Sequence, residues 1–515
     1  MAISARAAAL ALGLALAGCT AGCTVGPDFE RPSAWSPASW FGGRPRLPAA
    51  AVLEASMPSA EPLDPEWWNA FHDPVLTGLL RRAGSGNLDV RAATARLAQS
   101  RAQRGVTAAG QYPQLNGNAS ATRQKVSKEG ATSLFSGGSS GSSPGAASNG
   151  LAGTRGGAIP AQGGIPAFDL FQGGFDASWE LDLWGRVRRA VESADASLEA
   201  SREARRATLV STLSEVARNY IQLRGTQDDL RISRANLASA QESATLTEAR
   251  SRGGLGTDLD VANARAQVES TAASLPQLEQ QAAQSINAIG LLLGMPPAAL
   301  EAELSSAAPV PPVPPTVPLG LPSELLRRRP DIRQAEAQLH AATADIGMAQ
   351  ADFYPRITLS GSVSLQATQL KNLGNIAAGA YSFGPSLTIP IFEGGRLRRT
   401  VELREAQQQE AAISYQRTVL QAYTEVDNAL LAYAAEQRRR ERLAAQVVQG
   451  RRALGLAQSR YRQGVSDFLE VLTAQRTVLA AERQQAESTA TVSQNLVALY
   501  KALGGGWEAG DPDRW

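Results

Sequence analysis

The strongest constraint on the fold is a long internal repeat. Residues 250–294 align with residues 460–504 at a constant offset of 210 positions, without a gap. The identical positions of the first copy include Arg250, Arg252, Gly254, Leu259, Val261, Ala264, Val268, Gln284, Ala288, Leu293 and Gly294. Each copy indicates the end of one helix, a Gly-centred turn and a second long helix. The repeat therefore predicts one architecture built from two similar halves, rather than several unrelated domains.

An earlier helix is also duplicated, at an offset of 242 positions. The matched pairs are Asp89 and Asp331, Arg91 and Arg333, Ala93 and Ala335, and Leu97 and Leu339. Both helices are predicted to stop at a Tyr-Pro pair, because proline and the residue before it disfavour helix. The offset changes because residues 128–164, rich in Ser and Gly, have no counterpart. Such a composition predicts a long surface loop, on the outer side of a membrane protein.

Alternating apolar and polar residues follow each Tyr-Pro pair. The alternation predicts strands at about 114–124 and 174–184 in the first half, and at about 356–366 and 383–392 in the second. Strands of roughly ten residues with one apolar face are typical of membrane β-barrels. A soluble hairpin that covers a core has the same alternation, and the secretory signal described below favours the membrane.

Long uninterrupted helices follow the strands. Residues 187–252 contain no proline, so this helix can extend about 100 Å. A 4-3-4-3 spacing predicts coiled-coil seams. The seam residues are Leu209, Leu213, Val216, Tyr220 and Leu223, repeated as Val419, Tyr423, Val426, Leu430 and Tyr433. Pro276 has no counterpart in the second half (Ala486 stands there), which predicts a kink in the first returning helix only.

The N-terminus has the pattern of a lipoprotein signal. Residues 1–18 combine Arg6 with a short apolar stretch and end in Leu-Ala-Gly before Cys19. Cys23 follows a similar Thr-Ala-Gly and is the alternative lipidation site. A covalent lipid on one of these cysteines predicts attachment to a membrane.

Little in the sequence predicts chemistry. The net charge of +2 does not indicate nucleic-acid binding. Both cysteines lie near the N-terminus, and the only histidines, His72 and His340, stand in unrelated contexts, so no catalytic or metal site is predicted. The two arginine runs, 327–329 and 438–440, are expected to be solvated helix faces.

Four strands per chain cannot close a membrane barrel, and an open sheet in lipid leaves backbone groups unpaired. The chain is therefore predicted to oligomerise around a water-filled conduit.

Several motifs resemble the TolC-like outer-membrane efflux factors, in particular the NodT-type lipoprotein channels. The motifs are Arg-Arg-Pro-Asp-Ile-Arg at 328–333, Asp-Phe-Tyr-Pro at 352–355, Phe-Glu-Gly-Gly-Arg at 392–396 and Cys-Thr-Val-Gly-Pro-Asp-Phe at 23–29. The resemblance implies a mixed α and transmembrane β fold: a trimer with a 12-stranded β-barrel continued by a long α-helical coiled-coil barrel. It also implies a bacterial outer-membrane location, a periplasmic adaptor and an inner-membrane resistance-nodulation-division transporter as partners.

The implied domain organisation has six parts. They are a signal peptide (1–18), a lipid-anchored equatorial segment (19–86), a first repeat (87–294), a Pro-rich connector (295–329), a second repeat (330–504) and a C-terminal tail (505–515).

The resemblance assigns roles to residues at the two Gly-centred turns. Gly254, Leu255, Gly464 and Val465 correspond to the tips that dock the adaptor. Asp260 and Tyr461 fall where the family has a gate-holding contact, and Glu470 where an acidic ring lines the periplasmic aperture. Ser466 replaces an arginine that family members carry. The alternative for Asp260 and Glu470 is that they are solvated first-turn carboxylates, which the helix dipole favours.

The predicted function is a passive, gated efflux conduit for small toxic compounds. A type I secretion outlet is the alternative within the family, and a lipid-anchored coiled-coil scaffold without a pore is the alternative outside it.

Overall fold

The computed structural model describes residues 24–33, 35–37, 40, 57–59, 61–125 and 167–508. The predicted signal peptide, Cys19, Cys23 and the Ser/Gly-rich residues 128–164 lie outside the described residues.

The described chain is mostly helical, with one four-stranded antiparallel sheet and one small parallel pair. The helices are α1 (Pro74–Gly86), α2 (Leu88–Ala109), α3 (Arg186–Arg252), α4 (Asp258–Ala273), α5 (Leu275–Leu292), α6 (Glu301–Leu304), α7 (Leu325–Arg328), α8 (Pro330–Ala351), α9 (Arg396–Arg462) and α10 (Phe468–Ala502). The strands are β1 (Met57–Ser59), β2 (Gln114–Gln124), β3 (Phe168–Leu181), β4 (Thr316–Pro318), β5 (Arg356–Ala367) and β6 (Gly379–Thr388). The predicted mixed class with two repeats is confirmed.

Two compact units divide the described chain. One contains residues 106–191 and 347–401 and includes the large sheet. The other contains residues 27–105, 192–346 and 402 onward, and includes most of the helical seams.

The long helices α3 and α9 have 67 residues each. Every predicted seam residue is buried, from Val216 and Leu223 at 0% exposure to Tyr423 at 8%. All ten belong to one apolar core that also contains Ile286, Ile289 and Leu496 from the returning helices. The heptad spacing therefore identified the buried face of each helix.

The returning helices differ between the halves as predicted. In the second half α10 is continuous over 35 residues, whereas in the first half the helix is divided at Ser274 into α4 and α5. Pro276 is the cause, because its ring lacks an N–H and collides with the carbonyl of the residue four positions earlier.

The N-terminal aromatic residues form part of the helical core. Trp67, Trp68 and Phe71 are buried, and the Trp67 ring stacks on Tyr500 at 5.1 Å between centroids. Asp73 caps α1 by accepting hydrogen bonds from the Val75 and Leu76 amides. Further along, β1 pairs in parallel with β4 of the Pro-rich connector.

The large sheet has the order β2-β3-β5-β6, and all three pairs are antiparallel. Two of its strands differ from the sequence prediction. β3 begins at Phe168 instead of 174, because Gly173-Gly174 interrupts the side-chain alternation without ending the strand. β6 covers Gly379–Thr388 instead of 383–392, because its partner β5 begins at Arg356, directly after Pro355, and Arg356 pairs with Thr388.

The prediction that the first arginine run is solvated was wrong for Arg329. Its guanidinium is buried and donates to Asp331 at 2.6 Å and to Glu425 at 2.7 Å. It also donates to the Ala502 carbonyl at 2.8 Å. Arg329 therefore joins α8, α9 and the end of α10 instead of facing water.

Candidate functional site

The two duplicated turns have the same backbone geometry. At the end of α3, the Gly254 amide donates to Ser251 O at 2.9 Å and the Leu255 amide to Arg250 O at 2.9 Å. At the end of α9, Gly464 and Val465 repeat these bonds at 3.0 and 2.9 Å. Both pairs are Schellman motifs, which require a residue with positive φ. Gly254 (φ +72°) and Gly464 (φ +75°) provide it.

Each turn exposes an apolar residue directly after its glycine. Leu255 is 72% exposed and Val465 is 65% exposed. Leu259 and Leu469, in the first turns of the returning helices, are also exposed. Unpartnered apolar side chains at both turns are suited to contact with another protein.

The helix that follows each turn begins with a side-chain cap. Thr257 and Asp260 form a capping box at the start of α4, in which the Asp260 carboxylate accepts from Thr257 Oγ1 at 2.8 Å. Asp467 caps α10 by accepting from the Glu470 amide at 3.2 Å. The Glu470 carboxylate lies 3.5 Å from Arg460. Both predicted gate carboxylates are thus first-turn residues, where the helix dipole favours a negative charge.

Tyr461 is the buried centre of the turn region. It is 4% exposed and lies in a small apolar cluster with Phe468, whose ring centroid is 5.6 Å away. Its hydroxyl is 3.4 Å from Thr247 on α3. Within the chain, Tyr461 and Asp260 therefore have different partners.

The sequence did not identify Arg250 as the residue that joins the two turns. Its guanidinium lies over the Tyr461 ring at 4.5 Å from the centroid. It also donates to the main-chain carbonyl of Tyr461, and to that of Arg462 at 3.4 Å. A cation on the terminal carbonyls of α9 is favoured by the helix dipole and by charge-assisted hydrogen bonding. The sequence contains one indication of this role, which is that Arg250 and Arg460 are identical in the two copies of the repeat.

The large sheet has two chemically different faces. The register places all odd-numbered residues of its four strands on one face and all even-numbered residues on the other. Large apolar side chains on the odd face are exposed: Leu115, Phe175, Leu359, Val363, Leu365, Tyr381, Phe383 and Leu387. The even face is mostly Asn, Ser, Thr and Gln. An exposed apolar face opposite a polar face is the pattern of a strand wall between lipid and water.

Aromatic residues border the sheet where its strands leave the helices. Trp184 stacks on Tyr354 at 4.8 Å and donates to the Pro355 carbonyl at 2.8 Å. Trp179 donates to Gln111 O at 3.0 Å. Aromatic rings with one hydrogen-bonding end are enriched at membrane–water interfaces.

A buried carboxylate lies on α3 in the helical unit. Glu203 is 0% exposed, and one of its oxygens accepts from Arg206 at 2.5 Å and from Arg333 at 2.8 Å. The Trp507 ring packs against the Arg206 guanidinium, which lies 4.3 Å from the ring centroid. Burial raises the pKa of Glu203 to about 7, although Arg333 and Arg206 act in the opposite direction.

Within residues 24–125 and 167–508, as far as they are described, no three His, Cys, Asp or Glu side chains are grouped as metal ligands. In the same part of the chain, no helix is long and apolar enough to cross a membrane.

Comparison with known proteins gives consistent matches over most of the chain. A family model described as outer membrane efflux protein matches residues 79–295 and 321–505. The pyoverdine export outer membrane protein OpmQ of Pseudomonas putida is 34% identical over 478 residues, which cover 93% of each chain. The probable outer membrane lipoprotein SilC of Salmonella typhimurium is 31% identical over 489 residues, 94% of this chain and 95% of that one. The solved outer-membrane channel OprN has a TM-score of 0.80 at 36% identity, covering 94% of this chain and all of the other.

Proposed function

This chain belongs to the outer membrane efflux protein family, and on that premise we propose that it is the outer-membrane channel subunit of a tripartite efflux system. In this role it is a passive conduit that carries small compounds to the exterior. Export of pyoverdine by the OpmQ relative supports a small-molecule cargo over a protein cargo.

The observation that carries the proposal is the open, two-faced sheet. β2 and β6 are its edge strands, and each has one pairing partner within the described chain. A sheet whose apolar face contacts lipid must close, because unpaired backbone groups in hydrocarbon each cost several kcal/mol. Three copies supply twelve strands, within the range of known barrels. The proposed assembly is therefore a homotrimer in the outer membrane.

The duplicated turns are the proposed periplasmic end of this conduit. Leu255 and Val465, together with Gly254 and Gly464, form the surface for a periplasmic adaptor, which links the channel to a resistance-nodulation-division transporter. Their exposed apolar side chains support this assignment. A lipid on Cys19, or alternatively on Cys23, holds the chain at the membrane.

The gate is proposed to lie beside these turns. Tyr461 and Arg250 hold the ends of α3 and α9 together, and separation of these helix ends opens the aperture. Asp260 and Glu470 lie in the first turns of the returning helices. In the trimer they are proposed to bring a negative charge to the aperture, with Asp260 reaching a neighbouring copy.

The mass of the detergent-extracted protein tests the assembly. Light scattering should give three chains per particle, and a monomer that still conducts ions in a planar bilayer would contradict closure by added strands. Deletion of the gene should increase susceptibility to toxic compounds. A strain that instead loses secretion of a protein, with unchanged susceptibility, would support the secretion outlet.

A further inference from the structure

One row of side chains across the even face of the sheet contains an unmatched negative charge. The register aligns Asn116, Asp176, Ser362 and Ser382 on β2, β3, β5 and β6. Asp176 is the one charged residue of this row. The neighbouring row at Gly174 contains only neutral residues.

The other charged residues of the even face have partners of opposite charge. Glu180 accepts two hydrogen bonds from Arg186, at 2.8 and 2.7 Å. Arg356 donates to Asp352 at 3.0 Å. Within the described strands, Asp176 is therefore the one carboxylate of this face that has no cationic partner.

Two amides hold the Asp176 carboxylate in place without neutralising it. Asn118 Nδ2 donates to one oxygen at 2.8 Å, and Asn116 Nδ2 donates to the other at 3.2 Å. Both donors are on β2, so the side chain is held against the strand wall. The Asp176 side chain is half-buried, so its carboxylate remains partly open to solvent. The charge is thus both positioned and accessible from the even face.

From this geometry we infer that Asp176 makes the strand-walled part of the conduit prefer cations over anions. The inference rests on the proposed trimer, in which the odd face contacts lipid and the even face lines the water. Twelve strands about 4.8 Å apart and tilted by about 40° close at a radius of roughly 12 Å. Three Asp176 carboxylates then form a ring at one level, each about 8 Å from the axis, which favours passage of cationic compounds.

Ion selectivity of single channels in planar bilayers tests the inference. The reversal potential in a salt gradient should show cation preference for the natural chain. Asp176→Asn should lower the cation-to-anion permeability ratio on the order of fivefold at 0.1 M salt, an estimate from three screened charges in water. At 1 M salt, where the Debye length is about 3 Å, most of this difference should disappear.

Two further variants separate this ring from other effects. Asp169→Asn makes the same charge change on β3, but on the odd face beside Arg123, and should leave selectivity unchanged. Ser382→Lys adds a positive charge to the Asp176 row and should also lower the ratio, even if Asp176→Asn fails to assemble. Unchanged selectivity in Asp176→Asn or Ser382→Lys channels, or an equal change in Asp169→Asn, would overturn the inference. Absence of channels from the natural chain would instead contradict the proposed function.

Discussion

Replacement of Arg250 by methionine should loosen the paired turns at the ends of α3 and α9. Methionine retains most of the aliphatic stem but removes the guanidinium that contacts the Tyr461 ring and the carbonyls of Tyr461 and Arg462. The change therefore isolates the charged contacts from simple packing.

The expected magnitude follows from those contacts. A hydrogen bond from a charged donor contributes about 1.5–3 kcal/mol, and a partly solvated cation–π contact about 0.5–1 kcal/mol. Because Arg250 is only half-buried, solvent weakens the hydrogen bonds and the cation–π contact. Together they are expected to stabilise the closed turn by about 2 kcal/mol. If the contacts exist only in the closed state, their loss raises the population of the open turn about 30-fold.

Amide hydrogen exchange measures this opening directly. The amides of Gly464 and Val465, whose bonds close the turn, should lose protection in Arg250→Met, and channels in bilayers should spend more time open. Arg252→Met is the matched control, since within the described part of the chain the Arg252 guanidinium donates to the Glu248 carbonyl of its own helix, at 3.4 Å, and to no group of α9. Equal exchange in Arg250→Met and the natural chain would show that these contacts do not hold the turn closed, and so would an equal loss of protection in the control.

Two other predictions concern stability. The pKa of the Glu203 carboxyl is about 7 in the folded chain, against 4.5 when the group is solvated. The folded chain therefore binds the Glu203 proton more tightly than the unfolded chain does. This contribution to stability is present below about pH 4.5 and is lost as pH rises through 7. The difference between the thermal midpoints at pH 5 and pH 8 should be smaller in Glu203→Gln than in the natural chain. If the variant keeps the full difference, Glu203 is not the cause of the pH dependence. Gly464→Ala should cost about 1 kcal/mol from its positive φ alone. Gly504→Ala should lower the denaturation midpoint more than Gly464→Ala does, because the added Cβ would lie 3.1 Å from Arg329 Cα. Equal denaturation midpoints of the two variants would contradict this expectation.

The features that sequence predicted well are those set by local periodicity. The 4-3-4-3 spacing identified buried seam residues such as Val216 and Val426, because a helix face is determined by spacing alone. The break before Pro276 followed from the missing N–H of one residue. Both features depend only on nearby residues of the same helix, so they can be predicted without knowing which distant residues they contact.

Features that depend on distant partners were not predictable in this way. Arg329 is buried because Glu425, almost a hundred positions later, accepts its hydrogen bond. Arg250 likewise binds carbonyls of another helix, and backbone acceptors carry no sequence signature. The start of β3 was missed because Gly173-Gly174 has no side chains to alternate, although its ladder to β5 continues through both residues.

The β3–β5 pair has a consequence for how the conduit assembles. It joins a hairpin of one half, β2–β3, to the hairpin of the other, β5–β6. Because both belong to one chain, they meet at an effective concentration fixed by the connecting segment, independent of expression level. Only the β6–β2 joints between copies obey mass action. A ring of six hairpins therefore needs three intermolecular joints instead of six, and duplication makes closure of the conduit much less sensitive to dilution in the membrane.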